Sequence, residues 1–252
     1  MALIPALQEA KTRFTAVIAN HQLGGEAILV KVDPLTTEQA IGNPVRKDFP
    51  LLEGKEVMVE ARFRGGIGHA FTSQPGEFEG TIDDVLNLGL DTDNNRAIFV
   101  STLNAVVAHL GLTSGVGHCR DDEPEQCWVC ISAKLRERFG LIKVGMVGYQ
   151  PALLENLVKT FDTSRVRCSD LNPRNVGSAR YGVEIWNGNS ENRELAKWCD
   201  LLLVTSSTMV NNTFDSVRRD ASSEGKSLIV FGVSGAGIST LLELERICPF
   251  GH

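Results

Sequence analysis

Short apolar runs alternate with segments of helical spacing throughout the chain after Gly140. The strand-like runs cover residues 141–147, 165–168, 201–205 and 227–231. The helix-like segments between them cover residues 152–161, 192–198, 212–221 and 238–247. Right-handed crossovers bring such strands together in a parallel sheet with helices on both faces. This alternation therefore predicts a parallel-sheet α/β domain over residues 140–252.

The first part of the chain has a different pattern. Apolar residues from Leu3 to Ile18 recur at helical spacing and predict an amphipathic helix. Residues 26–32 and 55–63 are β-branched and partly alternating, which predicts strands of a small antiparallel sheet. Residues 81–88 and 94–110 read as two further helices. Residues 1–139 are thus expected to form an α+β domain, with the boundary at residues 139–141.

Residues 118–130 concentrate the side chains that bind metals. This short segment holds three of the six cysteines and one of the five histidines of the chain. Thiolate and imidazole are ligands that zinc, iron and copper accept. Cys127 and Cys130 are three residues apart in a helix predicted from Pro124 to Phe139, so they share one face, while His118 and Cys119 precede it. These four residues are candidate ligands for such an ion or for an iron–sulfur cluster.

The same cysteines also fit a simpler interpretation. Cys127 lies in the first turn of the predicted helix, where free N–H groups favour a thiolate, but four acidic residues nearby oppose one. Small buried thiols beside Trp128 explain the pattern equally well. Cys168, Cys199 and Cys248 adjoin apolar residues and are predicted to be core residues. Metal-binding and buried thiols therefore remain alternatives.

Composition and charge restrict the partners. The formal net charge is −6 and the chain has no block of Lys or Arg, which disfavours nucleic acids and anionic membrane surfaces. The start lacks a basic targeting segment, and no run approaches the roughly 18 apolar residues that span a membrane. We therefore expect a cytoplasmic protein, in which cysteines stay reduced.

Polar loops follow the predicted parallel strands. Ligands of open α/β sheets bind at the carboxyl ends of the strands, where these loops converge. The Gly-rich loop 232–237 precedes a helix, so its N–H groups could bind a small anion such as a carboxylate or phosphate. Helix capping is an alternative role for Asp170 and for an asparagine at 211–212. The candidate ligand-binding residues are Tyr149, Asp170, Thr205, Ser206, Asn212, Ser234 and Gly235.

Several common chemistries have little support. The first strand is followed by Gly145-x-x-Gly148 instead of G-x-G-x-x-G, which disfavours NAD binding. The loop 232–237 lacks the Gly-Lys-Ser/Thr of a nucleotide-hydrolysing P-loop. The chain contains neither G-x-S-x-G nor H-E-x-x-H, so no catalytic nucleophile or metalloprotease motif is evident. The sequence leaves open whether the protein is an enzyme.

Four motifs carry a resemblance to a known family. They are Lys143-Val-Gly-Met-Val-Gly-Tyr, the segment 200–213, Leu228-Ile-Val-Phe-Gly-Val-Ser-Gly-Ala-Gly and the helix segment Ser101-Thr-Leu-Asn-Ala-Val. With these motifs the chain resembles the putative heavy-metal chelation family of bacteria and archaea. The resemblance implies an enolase-N-terminal-like first domain, a Rossmann-like second domain and a ligand site in the cleft between them. The chain departs from the family pattern at Gly-Val-Ser-Gly-Ala-Gly, where a shorter Gly-Pro-Ser/Thr turn is expected.

Two functional hypotheses follow. In the first, the protein sequesters or delivers a transition metal or heavy metal bound by His118, Cys119, Cys127 and Cys130. In the second, it is an enzyme or sensor that binds a small molecule between the domains, and any metal or cluster is structural. A metal ion or a small anionic molecule is therefore the expected partner.

Overall fold

Two β-sheets organise the structure, a computed structural model that describes residues 5–23, 29–52 and 56–252. One sheet has four antiparallel strands and the other has seven strands, mostly parallel. Helices pack on both sheets, so the predicted α/β fold with an α+β first part and a parallel-sheet second part is confirmed. The predicted positions 1–4, 26–28 and 55 lie outside the described residues.

The N-terminal part, up to residue 139, contains the antiparallel sheet. Its strands pair in the order β3-β2-β1-β4. The strands are β1 (Leu29–Pro34), β2 (Val57–Phe63), β3 (Gly66–Thr72) and β4 (Phe78–Thr81). The helices are α1 (Ala6–Asn20), α2 (Thr37–Ile41), α3 (Ile82–Asn87), α4 (Asp93–His109) and α5 (Glu123–Phe139).

Helix α4 is the central element of this part. It packs on β2 and β3, and every residue from Arg96 to Val107 is buried. A helix that is apolar on nearly all sides is stable only when it is surrounded by protein. Thr92 caps its start by accepting a hydrogen bond from the backbone N–H of Asn95, 3.1 Å away.

The C-terminal part, from residue 140, contains the seven-stranded sheet. Its strands are β5 (Val144–Val147), β6 (Val166–Asp170), β7 (Ala179–Arg180), β8 (Val183–Asn187), β9 (Leu201–Thr205), β10 (Ser227–Phe231) and β11 (Arg246–Ile247). Its helices are α6 (Pro151–Phe161), α7 (Asn192–Trp198), α8 (Ser207–Val210), α9 (Phe214–Ser223) and α10 (Ala236–Leu242), with a 3-10 turn at Thr163–Arg165. The strand order is β11-β10-β9-β5-β6-β8-β7, and only β7 runs antiparallel to its neighbour.

Alternate residues of the parallel strands enter two different hydrophobic cores. Leu201 and Leu203 of β9 face one core with α5 and α6, whereas Leu202 and Val204 face the other with α1, α4, α7 and α9. Both cores contain residues from before and after Gly140. The two parts of the chain are therefore held together by shared apolar burial, which is the main stabilising term of folding.

One local prediction is wrong. The helix predicted for residues 238–247 ends at Leu242, because Glu243 adopts a left-handed conformation with φ of 55°, and residues 246–247 form β11 instead. The Gly-rich segment 64–72 is mostly strand β3. Its Gly68 is needed for packing, since a Cβ there would lie 2.7 Å from the Cβ of Asn104 on α4.

Other local predictions are confirmed. Pro124 lies in the first turn of α5, and Gly140 ends this helix with φ of 72°. Strand β8 has alternating burial but was not predicted. Within the described ranges, the helices are all too short or too polar to cross a bilayer.

Candidate functional site

A cavity of about 490 Å³ lies between the two parts of the chain, at the carboxyl ends of β5, β6, β9 and β10. We call this cavity the cleft. Its volume is within the range of small-molecule sites. The N-terminal part contributes Ile41, residues 48–51, Glu56, Phe71, Ser73, Asp93, His118, Pro124 and Trp128. The C-terminal part contributes residues 147–150, 169–173, 205–208, 231–232, Asn175, Gly188, Asn192, Asn211 and Thr213.

The strand order explains where the cleft lies. Strand β5 pairs with β6 on one side and with β9 on the other. The chain therefore leaves β5 in one direction, through β6 and β8, and returns to build β9 and β10 on the opposite side. The loops that follow β5 and β9 diverge at this switch point and leave a crevice, which is the usual ligand position in such sheets.

Asp170 organises one wall of the cleft. Its Oδ2 atom accepts a hydrogen bond from the backbone N–H of Tyr149 at 2.7 Å. Its Oδ1 atom accepts bonds from the backbone N–H of Asn172 at 2.8 Å and from Nδ2 of Asn175 at 3.0 Å. This carboxylate therefore ties the loop after β5 to the loop after β6. Residues 171–178 form a turn and not a helix, so Asp170 does not have the helix-capping role that the sequence suggested.

Glu56 lies in the opposite wall, just before β2. Burial of its side chain, together with the nearby negative charge of Asp170, raises the pKa of the Glu56 carboxyl. Burial also raises the pKa of Tyr149 to about 12, so this phenol remains a hydrogen-bond donor at neutral pH. The cleft therefore places two carboxyl groups close together from different parts of the chain.

Hydroxyl groups line the cleft after β9. Thr205 Oγ1 and Ser207 Oγ are 3.0 Å apart, and Thr208 Oγ1 donates to the carbonyl of Thr205 at 2.6 Å. Ser206 is buried beneath them, and a Cβ at Gly235 would lie 2.9 Å from the Cβ of Ser206. Gly235 thus permits close packing of the Gly-rich loop against this turn.

The Gly-rich loop 232–237 uses several polar groups for contacts with the N-terminal part. Asn104 Nδ2 lies within hydrogen-bond distance of the carbonyls of His69, Val233 and Ser234, at 2.9, 3.2 and 3.2 Å. The N–H of Gly237 donates to Asn104 Oδ1 at 2.8 Å. Ser234 Oγ accepts from the backbone N–H of Phe71 at 3.0 Å. These bonds bind the loop to α4 and β3.

Three cysteines from distant segments meet near the start of α5. The thiol of Cys127 interacts with the thiols of Cys119 and Cys248 and with the backbone N–H of Phe250. The Cys119 thiol and burial raise the pKa of Cys127 to about 12. Cys127 and burial likewise raise the pKa of Cys248. We call Cys119, Cys127 and Cys248 the thiol cluster.

The fourth predicted cysteine has a different environment. Cys130 is only half-buried, and among the described residues it has no sulfur or imidazole partner. Over residues 5–23, 29–52 and 56–252, no three His, Cys, Asp or Glu side chains already stand in a geometry that holds a metal ion. The thiol cluster therefore supplies suitable donor atoms, but binding a metal requires these side chains to turn towards a common centre.

His118 connects the thiol cluster with the cleft. Its Nδ1 atom is 2.6 Å from the carbonyl oxygen of Cys119 and 4.0 Å from the sulfur of Cys119. Because a carbonyl only accepts, Nδ1 carries the proton and Nε2 is an unprotonated acceptor. Burial lowers the pKa of His118, which keeps the ring neutral at neutral pH.

A second histidine fixes the backbone of this segment. His69 Nδ1 accepts the backbone N–H of His118 at 3.0 Å, and Nε2 donates to Glu60 Oε2 at 2.9 Å. The hydrogen bond from His69 lowers the pKa of Glu60. The pair of bonds defines the tautomer of His69 and holds His118 in place.

Residues 246–252 form the outer wall of the thiol cluster. His252 exchanges two backbone hydrogen bonds with Gly117, at 2.7 and 2.9 Å. Its Nε2 atom is 2.7 Å from Oε2 of Glu123, at the start of α5. Arg246 binds the carbonyls of Gly115 and Gly232. Cys248 is thereby placed beside Cys127.

The predicted ligand-binding residues have two different positions. Tyr149, Asp170, Thr205 and Ser206 line the cleft. Asn212, Ser234 and Gly235 are not among its lining residues; Asn212 has φ of 63°, and Ser234 is fully buried. Sequence reasoning missed Glu56, Asn104 and Cys248. Among these three, Asn104 has a local signal, because it is the single amide in the largely apolar stretch 96–107 of its helix.

Comparisons with known proteins identify relatives of the C-terminal part. Residues 133–243 match the model of the family DUF364, described as "Putative heavy-metal chelation". No curated protein matches the chain.

Two solved structures of DUF364 proteins, both of unknown function, are similar to this one. The protein from Pyrococcus horikoshii is 14% identical, with 91% of this chain and 80% of that chain covered and a TM-score of 0.53. The protein from Desulfitobacterium hafniense DCB-2 is 15% identical, with 74% and 72% covered and a TM-score of 0.48. At such low identity the first of these similarities shows a common fold.

The resemblance that the sequence motifs indicated is therefore confirmed: residues 133–243, from α5 into the turn after α10, match DUF364, the putative heavy-metal chelation family.

Proposed function

We propose that this protein binds a soft or borderline transition-metal or heavy-metal ion through the sulfur atoms of Cys119, Cys127 and Cys248. The observation that carries the proposal is the meeting of three thiols from separate segments at Cys127. Sulfur ligands select ions such as Cu(I), Zn²⁺ or an iron–sulfur centre over hard cations. The family description of residues 133–243 supports the same class of ligand.

The thiol cluster fits such an ion chemically. Two of its members, Cys119 and Cys127, are almost fully buried in an apolar core next to Trp128 and Leu135. In these surroundings the free thiol of Cys127 stays protonated, because its pKa is raised to about 12. A bound cation would stabilise the thiolates, because a coordinated thiol loses its proton outright.

His118 completes the proposed ligand set. It directly precedes Cys119, and its neutral ring is suited to metals, which bind the unprotonated nitrogen. Compared with the ligand set expected from the sequence, the proposal keeps His118, Cys119 and Cys127 and replaces Cys130 by Cys248. Cys130 serves as a matched control, because it lies on the same helix one turn from Cys127.

The proposal is tested by titrating the reduced protein with Cd²⁺ and following the ultraviolet thiolate-to-cadmium absorbance. We expect stoichiometric binding by the wild type and by Cys130→Ser. The variants Cys127→Ser and Cys248→Ser should each lose about 100-fold or more in affinity, a loss at least as large as that for removing a supporting group around a metal.

Two results would contradict the proposal. One is a wild-type protein that shows no thiolate absorbance with Cd²⁺. The other is a Cys130→Ser variant that loses binding as strongly as Cys248→Ser. The melting temperature of every variant without metal shows whether a loss of binding reflects a loss of folding.

A further inference from the structure

The acidic side chains of the cleft differ in how their charge is balanced. Asp48 forms an ion pair with Arg46, and Asp93 forms one with Arg96. Neither Glu56 nor Asp170 has a Lys or Arg partner among the residues that the structure describes. The described residues that line the cleft include no Lys or Arg. The unbalanced charge of the cleft is therefore negative and lies between Glu56 and Asp170.

Each of these carboxyl groups retains acceptor capacity. A carboxylate offers about four lone-pair positions, and Asp170 uses three of them for Tyr149, Asn172 and Asn175. Glu56 has no hydrogen-bond partner among the described side chains. Since the two groups come from opposite walls, a donor placed between them would join both parts of the chain.

The rest of the cleft fits an organic molecule. Aromatic side chains line it from both parts of the chain, and they are Phe49, Phe71, Trp128, Tyr149 and Phe231. Rings of this kind bind flat apolar groups and are attracted to cations over their faces. The hydroxyl groups of Thr205, Ser207 and Thr208 supply uncharged polar contacts at the carboxyl end of β9.

We propose that the cleft binds a small molecule with a positively charged ammonium group, which Glu56 and Asp170 hold from opposite walls, on a flat apolar body that contacts the aromatic lining. The site is separate from the thiol cluster and takes a different ligand. It also differs from the small anion that the Gly-rich loop suggested, because Ser234 and the N–H of Gly237 are already bound to Phe71 and Asn104.

The test uses two sets of matched probes that differ only in charge. The first set is tryptamine, tryptophol and indole-3-acetate; the second is phenethylamine, 2-phenylethanol and phenylacetate. Binding to the full chain is measured by saturation-transfer NMR and, for the tightest probe, by calorimetry. We expect the two amines to bind and the two carboxylates not to bind. Glu56→Gln and Asp170→Asn should each weaken amine binding about tenfold, which corresponds to about 1.4 kcal/mol.

Two control variants separate the possible causes of a loss. Glu184→Gln removes an exposed carboxylate on β8 and should leave amine binding unchanged. Cys127→Ser should also leave it unchanged, so failure of the thiol site and failure of this site are distinguishable. The inference is overturned if the carboxylates or alcohols bind as well as the amines, if no amine binds, or if amine binding survives in both Glu56→Gln and Asp170→Asn.

Discussion

The thiol cluster and the cleft are neighbouring regions with opposite chemistry. His118 and Trp128 line the cleft. His118 directly precedes Cys119, and Trp128 directly follows Cys127. One region presents sulfur atoms within an apolar core, whereas the other presents carboxyl and hydroxyl oxygens around an open cavity. Sulfur selects soft metal ions and oxygen selects hard cations and hydrogen-bond donors. Two adjacent sites on one scaffold can therefore take ligands of different classes.

Both regions depend on the same contacts between the two parts of the chain. Asn104 binds His69 and the Gly-rich loop, and His69 in turn holds the backbone of His118. Arg246 and His252 hold residues 115–117 from the other side. Changes in this shared framework should therefore weaken both regions, whereas changes within one region should affect that region alone.

The largest effect is expected for Asn104→Ala. The change leaves the buried N–H of Gly237 and up to three carbonyls without their partner, and an unsatisfied buried polar group costs about 1–3 kcal/mol. We expect the free energy of unfolding to fall by about 3 kcal/mol in urea denaturation, with both ligand sites weakened. Asn95→Ala, at an exposed hydrogen bond on the same helix, is the control and should cost less than about 1 kcal/mol. Equal losses in the two variants would show that the framework does not depend on Asn104.

An intermediate effect is expected for Cys199→Ser. Cys199 is fully buried, like Cys127, but its described surroundings contain no second thiol. A hydroxyl in this apolar position should cost about 1–3 kcal/mol of folding free energy. Metal affinity, measured by cadmium titration, should remain at the wild-type value. If Cys199→Ser abolished metal binding without unfolding the protein, the distinction between clustered and isolated thiols would be lost.

The smallest effect is expected for Glu56→Gln. The folded protein raises the pKa of Glu56, so its contribution to stability is present below the unfolded-state pKa and is lost as the pH rises through the folded-state pKa. The variant should therefore match the wild type in acid and melt about 2 °C higher at neutral pH. Melting curves across this pH range provide the measurement. A variant that is less stable than the wild type at neutral pH would show that the ionised Glu56 carboxylate does not destabilise the folded protein.

Local signals predicted much of the fold, whereas the composition of the sites depends on distant contacts. Pro124 and Gly140 define the ends of α5, because the backbone conformations of proline and glycine are properties of these residues themselves. Cys248 joins Cys127 only because residues 246–252 pack beside Gly115 and Gly117, about half the chain away. Its sequence neighbours indicate a core residue, and the spacing along one helix favours Cys130 as the partner of Cys127.

The sequence predicts the position of the cleft but only some of the residues that line it. The alternation of strands and helices implied a crevice at the carboxyl ends, and Tyr149, Asp170, Thr205 and Ser206 are found there. Glu56 precedes a strand of the other sheet, so its approach to Asp170 depends on how the two sheets are arranged. The role of Ser234 likewise depends on Phe71, which lies 163 residues away in the sequence.

The most direct test of the metal-binding proposal is zinc-edge X-ray absorption of the reduced protein loaded with Zn²⁺. The proposed site predicts about three sulfur neighbours at roughly 2.3 Å and one lighter neighbour at roughly 2.0–2.1 Å. The sulfur count should fall in Cys248→Ser and should not change in Cys130→Ser. A zinc environment made only of oxygen and nitrogen in the wild type would contradict the thiol site.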